Sequence, residues 1–411
     1  MENKLIILLV IILGAIAVAQ LVRIYELSSK LRKNEEHEIS NRDNNLNARM
    51  MFGFMLLFFA GFIYLMTAYG WTGRGSAASV EGIEMDWLLN LNFVIIIAVF
   101  FLTNFLLFYF TWRFVRKPGV PAFYYPHNNK LEMLWTVVPA IVLAVIIILG
   151  LQTWSNLSGP SKPEAEKIEL FSKQFDWTAR YAGADNTLGL YDYKLTLDNN
   201  ELALLTTSTI DSSLNNMLNG PTGIRSLQKL LNNRDTVYSD STMQVLRTDL
   251  SRKERLYRFL TQMKENHNPK LDASAWDDII QKDTLYLCKG QEYEIALRAK
   301  DVIHSAYFPH FRAQMNTVPG MATRMKFTPN KTTSEMRDEK NDANFNYILM
   351  CNKICGGAHY KMKMVVVVLD RPAYKKWMDG KKKATFKDQY FPVAAAPAAT
   401  SADTTAVDTM N

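Results

Sequence analysis

The sequence predicts a membrane-anchored all-β protein: N-terminal transmembrane helices, then a small β-sandwich or barrel that carries a helical insertion. Three observations lead there. Four long runs without Asp, Glu, Lys or Arg crowd into the first 161 of 411 residues. The remainder is polar and contains β-rich segments. Between those segments, residues 199–282 change to helical periodicity.

The uncharged runs are Leu5–Val22, Met50–Trp71 with its flank, Trp87–Trp112 and Met133–Ser161. Each reaches or approaches the roughly 18–20 apolar residues that cross a bilayer as a helix. The first could instead be a cleaved signal peptide, with Ala15, Ala17 and Ala19 imitating a small-residue cleavage site. Loop charge argues for four spans. Arg23, Lys30, Arg32, Lys33, Arg42 and Arg49 follow the first run, only Arg74 follows the second, and Arg113, Arg116, Lys117 and Lys130 follow the third. Positive loops stay in the cytoplasm. The expected location is therefore the inner (cytoplasmic) membrane, multi-pass, with the polar domain on the periplasmic or outer side.

In the polar part, Lys167–Tyr181, Glu292–Val302 and Phe345–Cys351 read as strands, and the β-branched run Met364–Asp370 reads as a buried one. "IRSLQKLL" and "MQVLRTDLSRKERLYRFLTQM" read as amphipathic helices of the insertion, where His267 stands alone as a surface residue. The Ala, Thr and Pro-rich end is expected to be disordered. From Asn156 onward there are 35 basic against 30 acidic residues, interleaved throughout. That is a solvated mixed-charge surface outside the cytoplasm, and no nucleic-acid partner is expected.

The chemistry concentrates in "CNKICGGAHYKM", Cys351–Met362, which spends two of the chain's three cysteines beside one of its six histidines. Outside the cytoplasm a cysteine pair usually becomes a disulfide. Here His359 and Met362 join the two thiols, and thiolate, imidazole and thioether together are the ligands of copper electron-transfer sites. Zinc accepts Cys and His but has no use for the Met. Two cysteines in one loop permit two thiolates to bridge two coppers, and a second imidazole must then come from elsewhere. His304 ends a predicted strand and His310 competes with it; spacing alone does not choose.

"DVIHS" (Asp301–Ser305), the following "VPG" and "CNKICGGAHYKM" together resemble the dinuclear copper domain of the cytochrome c oxidase subunit II family. "HNNKLEMLWTVVPAIVLAVI" (His127–Ile146) resembles the start of that family's second membrane helix, and "QFDWTARY" (Gln174–Tyr181) its aromatic motif. The resemblance implies a cupredoxin-like β domain. It implies a transmembrane pair at 87–155 preceded by two extra helices at 1–86, as in a long bacterial form. The rest divides into a β start at 156–198, the insertion at 199–282, which falls outside the family pattern, the copper-binding β domain at 283–390 and the tail at 391–411. The resemblance assigns His304 and His359 as one imidazole for each copper of a dinuclear CuA centre, Cys351 and Cys355 as bridges, and Met362 and the Lys353 carbonyl as weak ligands. His310 is left as a neighbour.

The implied function is electron acceptance from cytochrome c and delivery to haem in subunit I, where haems and CuB reduce oxygen and protons are translocated. The implied partners are subunit I, other oxidase subunits, the lipid membrane and the donor cytochrome. Two departures matter. Lys353 stands where the family usually has a metal-binding Glu, so no second metal site is expected. Phe175 stands where the family has its electron-accepting Trp, with Trp177 matching the second aromatic. Glu132, at the start of the fourth run, is an interfacial carboxylate favoured by the helix dipole, or, as the resemblance implies, lies at the mouth of a proton-uptake channel. The basic balance and Phe175 favour a donor tethered in a supercomplex over a freely diffusing basic cytochrome. The rival readings are a copper-less quinol oxidase subunit II and a zinc-stabilised extracytoplasmic binding module.

Overall fold

In a lipid-facing run the backbone N–H and C=O groups find partners only in each other, so long uncharged runs become helices. The computed structural model describes residues 2–31, 40–70, 74–196, 200–233, 237–381 and 384–390. It holds four such helices: α1 (Glu2–Leu31), α2 (Asn41–Tyr69), α3 (Val80–Arg113) and α4 (Asn129–Ser158). Among the described residues α2, α3 and α4 are long and apolar enough to cross a membrane, so the chain is membrane-anchored. The run Leu5–Val22 lies within α1, and its assignment as a fourth span rests on loop charge. The chain divides into two compact units, one of residues up to 74 with 90–144, the other of 75–89 with those from 145 onward.

In the first unit, an aromatic ladder joins α2 to α3. Phe52–Trp112, Phe54–Phe108, Phe58–Phe100 and Phe62–Phe100 have ring centroids 4.6–5.7 Å apart. Lipid tails are as apolar as these rings, so shape and ring geometry supply the attraction.

The second unit contains β1 (Glu166–Lys173), β2 (Asp176–Tyr181), β3 (Ile279–Lys282), β4 (Thr284–Cys288), β5 (Tyr293–Ala299), β6 (His304–Phe308), β7 (Ala313–Thr317), β8 (Thr323–Phe327), β9 (Tyr347–Cys351) and β10 (Lys363–Leu369). They form two five-stranded sheets, in the orders β3-β2-β1-β5-β8 and β4-β10-β9-β6-β7. Neighbours are antiparallel except β1 with β5 and β4 with β10. Ile168, Leu170, Trp177, Ile295, Phe308 and Val366 belong to one buried core. This is the two-sheet β-sandwich that the sequence leads one to expect, following the membrane helices in the chain.

Three expectations need correction. The valine run of β10 is not buried on both faces: Met364, Val366 and Val368 are buried while Val365 is exposed. In a two-sheet sandwich each sheet buries only its inward face, so the period of two returns. His304 begins β6 rather than ending the strand before it, because the chain turns at Asp301–Ile303. His267 is not a surface residue; its buried ring meets Asp272 Oδ1 at 2.6 Å, while Asp272 Oδ2 accepts from Thr207 N at 3.0 Å.

The insertion contains α5 (Thr207–Asn219), α6 (Ile224–Asn232) and α7 (Asp240–Asn266) around its own small core, including Ile210, Met217, Ile224 and Leu260. The sequence reading found α6 and α7 by their apolar stripe. It missed the Asn and Ser-rich α5, which a Thr206–Thr209 capping box starts. The residues expected to form a disordered tail, 391–411, lie outside the described residues.

Buried charges fasten the insertion to the first sheet. Glu169 meets Arg180 and Arg298, each at 2.6 Å, and Arg180 also meets Asp278 at 2.5 Å. Arg180 donates on to Gly189 O and Arg298 to Leu202 O. Burial pushes the Glu169 carboxyl up, but the two guanidiniums outweigh it and hold it at about 2. Burial wins at Asp278 and pushes it up to about 7. Its Oδ1 has no hydrogen-bond partner among the described residues.

The segment before α3 behaves as part of the β unit. Ala78 N donates to His310 O, Val80 N to Thr328 O, and Asn330 N to Ala78 O, at 2.8–3.0 Å. Ser79 Oγ donates to Phe311 O, the Glu81 carboxylate accepts from Thr328 N, and Arg312 pairs with Asp86.

Candidate metal centre

Strand pairing brings the sulfur loop to the second imidazole. Ala306 of β6 is the register partner of Cys351 at the end of β9, and His304 stands two residues before it. The loop leaves at Cys351 and returns at Met362, closed by Cys351 N donating to Met362 O at 3.1 Å. Cys351, Cys355, Met362 and His304 are buried, and His359 is half-buried on a short 3-10 turn.

The donor atoms form a ladder. His304 Nδ1 lies 4.0 Å from Cys351 Sγ, which lies 3.9 Å from Cys355 Sγ, which lies 3.4 Å from His359 Nδ1. Met362 Sδ is 3.9 Å from Cys355 Sγ, and the Lys353 carbonyl is 3.2 Å from Cys351 Sγ. Among the described residues His304, Cys351 and Cys355 form a mutual triad within 4.8 Å, and His359 stands outside it. All six donors singled out in the sequence thus come together. The Lys353 side chain points to solvent; only its carbonyl faces the sulfurs. Burial, then the neighbouring Cys351, push the Cys355 thiol up to about 11, so a metal binding there must displace protons.

Sequence reasoning missed the groups that hold these donors. Asp301 Oδ1 meets His304 Nε2 at 2.9 Å, which turns Nδ1 toward the sulfurs. Burial raises the Asp301 carboxyl, but the backbone N–H of Gln174, the His304 ring and the backbone N–H of Val302 outweigh it and hold it below its ordinary value. Gln174 Nε2 donates to Cys355 O at 2.6 Å, tying β1 to the loop. The available signal was the carboxylate three residues before the histidine in "DVIHS", the usual partner of a metal-binding imidazole.

Trp177 is fully buried, its ring 6.3 Å from that of His304. Phe175 is half-buried and its ring covers Gly356. Gly356 has φ +137°, and an added Cβ would sit 2.9 Å from the Phe175 ring and from Gln174 Nε2. Gly356→Ala should cost about 1–3 kcal/mol from backbone strain alone, read as a lower melting temperature of the detergent-solubilised protein. His310 follows β6, about 13 Å or more along the chain from His304. It sits among Phe345 and Tyr347, pushed down to about 4 by burial, then by Lys340 and Arg312. Glu132 lies in the other unit, exposed in the first turn of α4, where Oε1 accepts from Asn128 N at 3.3 Å.

Residues 71–153 match the family model of the cytochrome c oxidase subunit II transmembrane domain. The chain is 25% identical over 300 residues to an alternative cytochrome c oxidase subunit 2 of Bradyrhizobium diazoefficiens, covering 72% of this chain and 80% of that protein. It is 23% identical to a cytochrome c oxidase subunit 2 of Cereibacter sphaeroides, covering 77% and 82%. The solved periplasmic domain of cytochrome oxidase subunit II of Bradyrhizobium japonicum aligns at 12% identity with TM-score 0.26, over 54% of this chain and 98% of that one. The chain is thus similar to cytochrome c oxidase subunit II proteins, through the family model over its membrane helix pair and through two relatives aligned over most of their length.

Proposed function

We propose that the chain is the electron-accepting subunit of a haem–copper oxygen reductase, taking electrons from cytochrome c on the outer side of the membrane and passing them toward haem in subunit I. One observation carries this reading: two thiols 3.9 Å apart, with an imidazole beside each. A single tetrahedral zinc would gather both imidazoles and both thiols around one point, whereas His359 stands outside the triad of the other three. The arrangement fits two ions, with Cys351 and Cys355 shared between them and His304 and His359 at the ends. Bound there, a copper pair would accept and release one electron at a time. The chain's part is to hold the donors still. Asp301 fixes the ring of His304, Gln174 fixes the loop at Cys355, and both sheets supply a rigid floor. Phe175 over Gly356 and Trp177 beside His304 are aromatic groups that an incoming electron could use. The retained thiols argue against a quinol oxidase subunit without copper.

The test is a metal count with an electron paramagnetic resonance spectrum of the purified protein. Two coppers per chain and a signal from one electron shared between equivalent copper nuclei are expected. One zinc and no near-infrared absorption would overturn the reading.

For Glu132 the proposed role is proton uptake, and its capping hydrogen bond provides a rival. Glu132→Gln keeps an acceptor for Asn128 N and removes the charge. Turnover is expected to fall by about tenfold in both Glu132→Gln and Glu132→Ala, below the 10²–10⁴ of a group acting in a chemical step. The copper spectrum should be normal in both. Full activity in the Gln variant assigns Glu132 to the helix cap.

A further inference from the structure

Helix α7 has an outward face that the insertion's own packing does not use. Its inner residues Leu250, Leu256, Tyr257, Leu260 and Met263 belong to the insertion core. Several of its other charges are engaged: Lys253 with Thr222, Glu254 with Gln228, and Lys264 with Asp211. Arg247, Arg252, Arg255 and Arg258 are all exposed, and none has a hydrogen bond or ion pair among the described residues. By helical pitch they fan around Ser251 on one side, with exposed Phe259 beside them. The same pitch places Asp249 toward the inner face, while Glu254, already engaged by Gln228, and Glu265 flank the arginines, so this side presents four guanidiniums against two carboxylates.

The position of the face matters as much as its charge. α7 packs against the 3-10 turn Tyr193–Leu195. Tyr193 and Lys300 line one groove of about 420 Å³. Lys300 immediately precedes Asp301, the residue that holds His304. The arginines therefore belong to a subdomain that abuts the surface beside the proposed copper donors.

We propose that the outward face of α7 docks the acidic surface of the electron donor, a c-type cytochrome, and holds it beside the metal centre; this rests on the electron-accepting reading above. Guanidinium forks pair with carboxylates bidentately, so the face selects an acidic protein and repels a basic one. An anionic membrane is the weaker fit, because the apolar side of α7 is consumed by its own core and leaves little to bury in lipid.

The experiment uses the whole oxidase complex in nanodiscs of neutral lipid, with two soluble c-type cytochromes as probes, one acidic and one basic. Parent complex should bind and oxidise the acidic probe at low salt, with KM rising steeply as salt is added. The double variant Arg252→Glu, Arg255→Glu should raise KM and the sedimentation-measured Kd for the acidic probe tenfold or more. kcat, melting temperature and copper spectrum should stay unchanged, and KM for the basic probe should fall. Arg252→Lys with Arg255→Lys should keep most of the affinity. Unchanged KM and Kd for the acidic probe in the Glu variant overturn the proposal, including the case where an effect emerges only in anionic-lipid nanodiscs. Parent complex without copper, and without cytochrome oxidation, would instead fail the reading on which the proposal rests.

Discussion

Cys355→Ser is expected to abolish the proposed copper pair while leaving a folded, membrane-inserted protein. Cys355 Sγ has three donor neighbours within 4 Å: Cys351 Sγ, His359 Nδ1 and Met362 Sδ. Cys351 Sγ has as many, in His304 Nδ1, the Lys353 carbonyl and Cys355 Sγ, so the two thiols are the hubs of the ladder. A serine oxygen is a hard ligand with a shorter reach, so neither ion would keep its shared sulfur. Copper content should fall from two per chain to one or none. Cytochrome oxidation should drop by more than the 10–100-fold that loss of a supporting residue costs. His304→Ala should take one copper and change the spectrum of whatever remains. His310→Ala is the control: its ring lies among Phe345 and Tyr347, away from the sulfurs, so it should keep both coppers. Metal analysis of the three purified variants decides. An unchanged spectrum with two coppers in His304→Ala would remove His304 from the site.

Glu169→Gln should be the most damaging change that touches no donor. It leaves Arg180 and Arg298 buried with one anion fewer, and breaking a buried pair from one side costs about 3–5 kcal/mol. For a unit of this size that lowers the melting temperature by roughly 10 °C. The pH dependence has a definite sign. Glu169 is held at about 2 in the fold against an ordinary 4.5, so its stabilisation is present above pH 4.5 and is lost as pH falls toward 2. The amount is on the order of 3 kcal/mol. Asp278 runs the other way. Raised to about 7, its contribution is full below its ordinary 3.8 and is lost as pH rises through 7. Asp278→Asn should therefore change stability by less than about 1 kcal/mol at pH 8, since Gly189 O still accepts from Arg180. Melting curves between pH 3 and 8 test both. A loss in Asp278→Asn equal to that in Glu169→Gln would contradict this division.

The donors were legible in the sequence because a loop writes them consecutively. Cys351, Cys355, His359 and Met362 lie within twelve residues, and a tight turn was enough to gather them. His304 needed strand pairing. Its choice over His310 came from resemblance, and the physical reason is register: Ala306 pairs with Cys351, which sets His304 at the sulfur end of β6 and His310 beyond the other. Asp301 and Gln174 stayed silent because a hydrogen bond to a metal-binding ring leaves no periodic trace. The buried quartet of Glu169, Arg180, Asp278 and Arg298 was illegible for a related reason. Mixed charge in a sequence normally means solvent, and only the insertion, folded over the sheet, makes these groups internal. Trp177, matched by the resemblance to the second aromatic of its motif, faces inward on β2.

Residues 75–89, an extended stretch followed by the first turns of α3, are a segment lent to the β unit by the membrane part of the chain. That changes what a soluble fragment would be. A fragment cut after α4 would begin with the carbonyls of His310, Phe311 and Thr328 stripped of Ala78 N, Ser79 Oγ and Val80 N, and with Arg312 deprived of Asp86. Ala78 and Ser79 are completely buried, so their removal opens a slot in the core's edge. Such a slot invites any extended segment of a second molecule to fill it, and the fragment would tend to pair with itself through a seam that the whole protein keeps closed. Joining 75–89 back on by a short linker restores the missing piece without a bilayer.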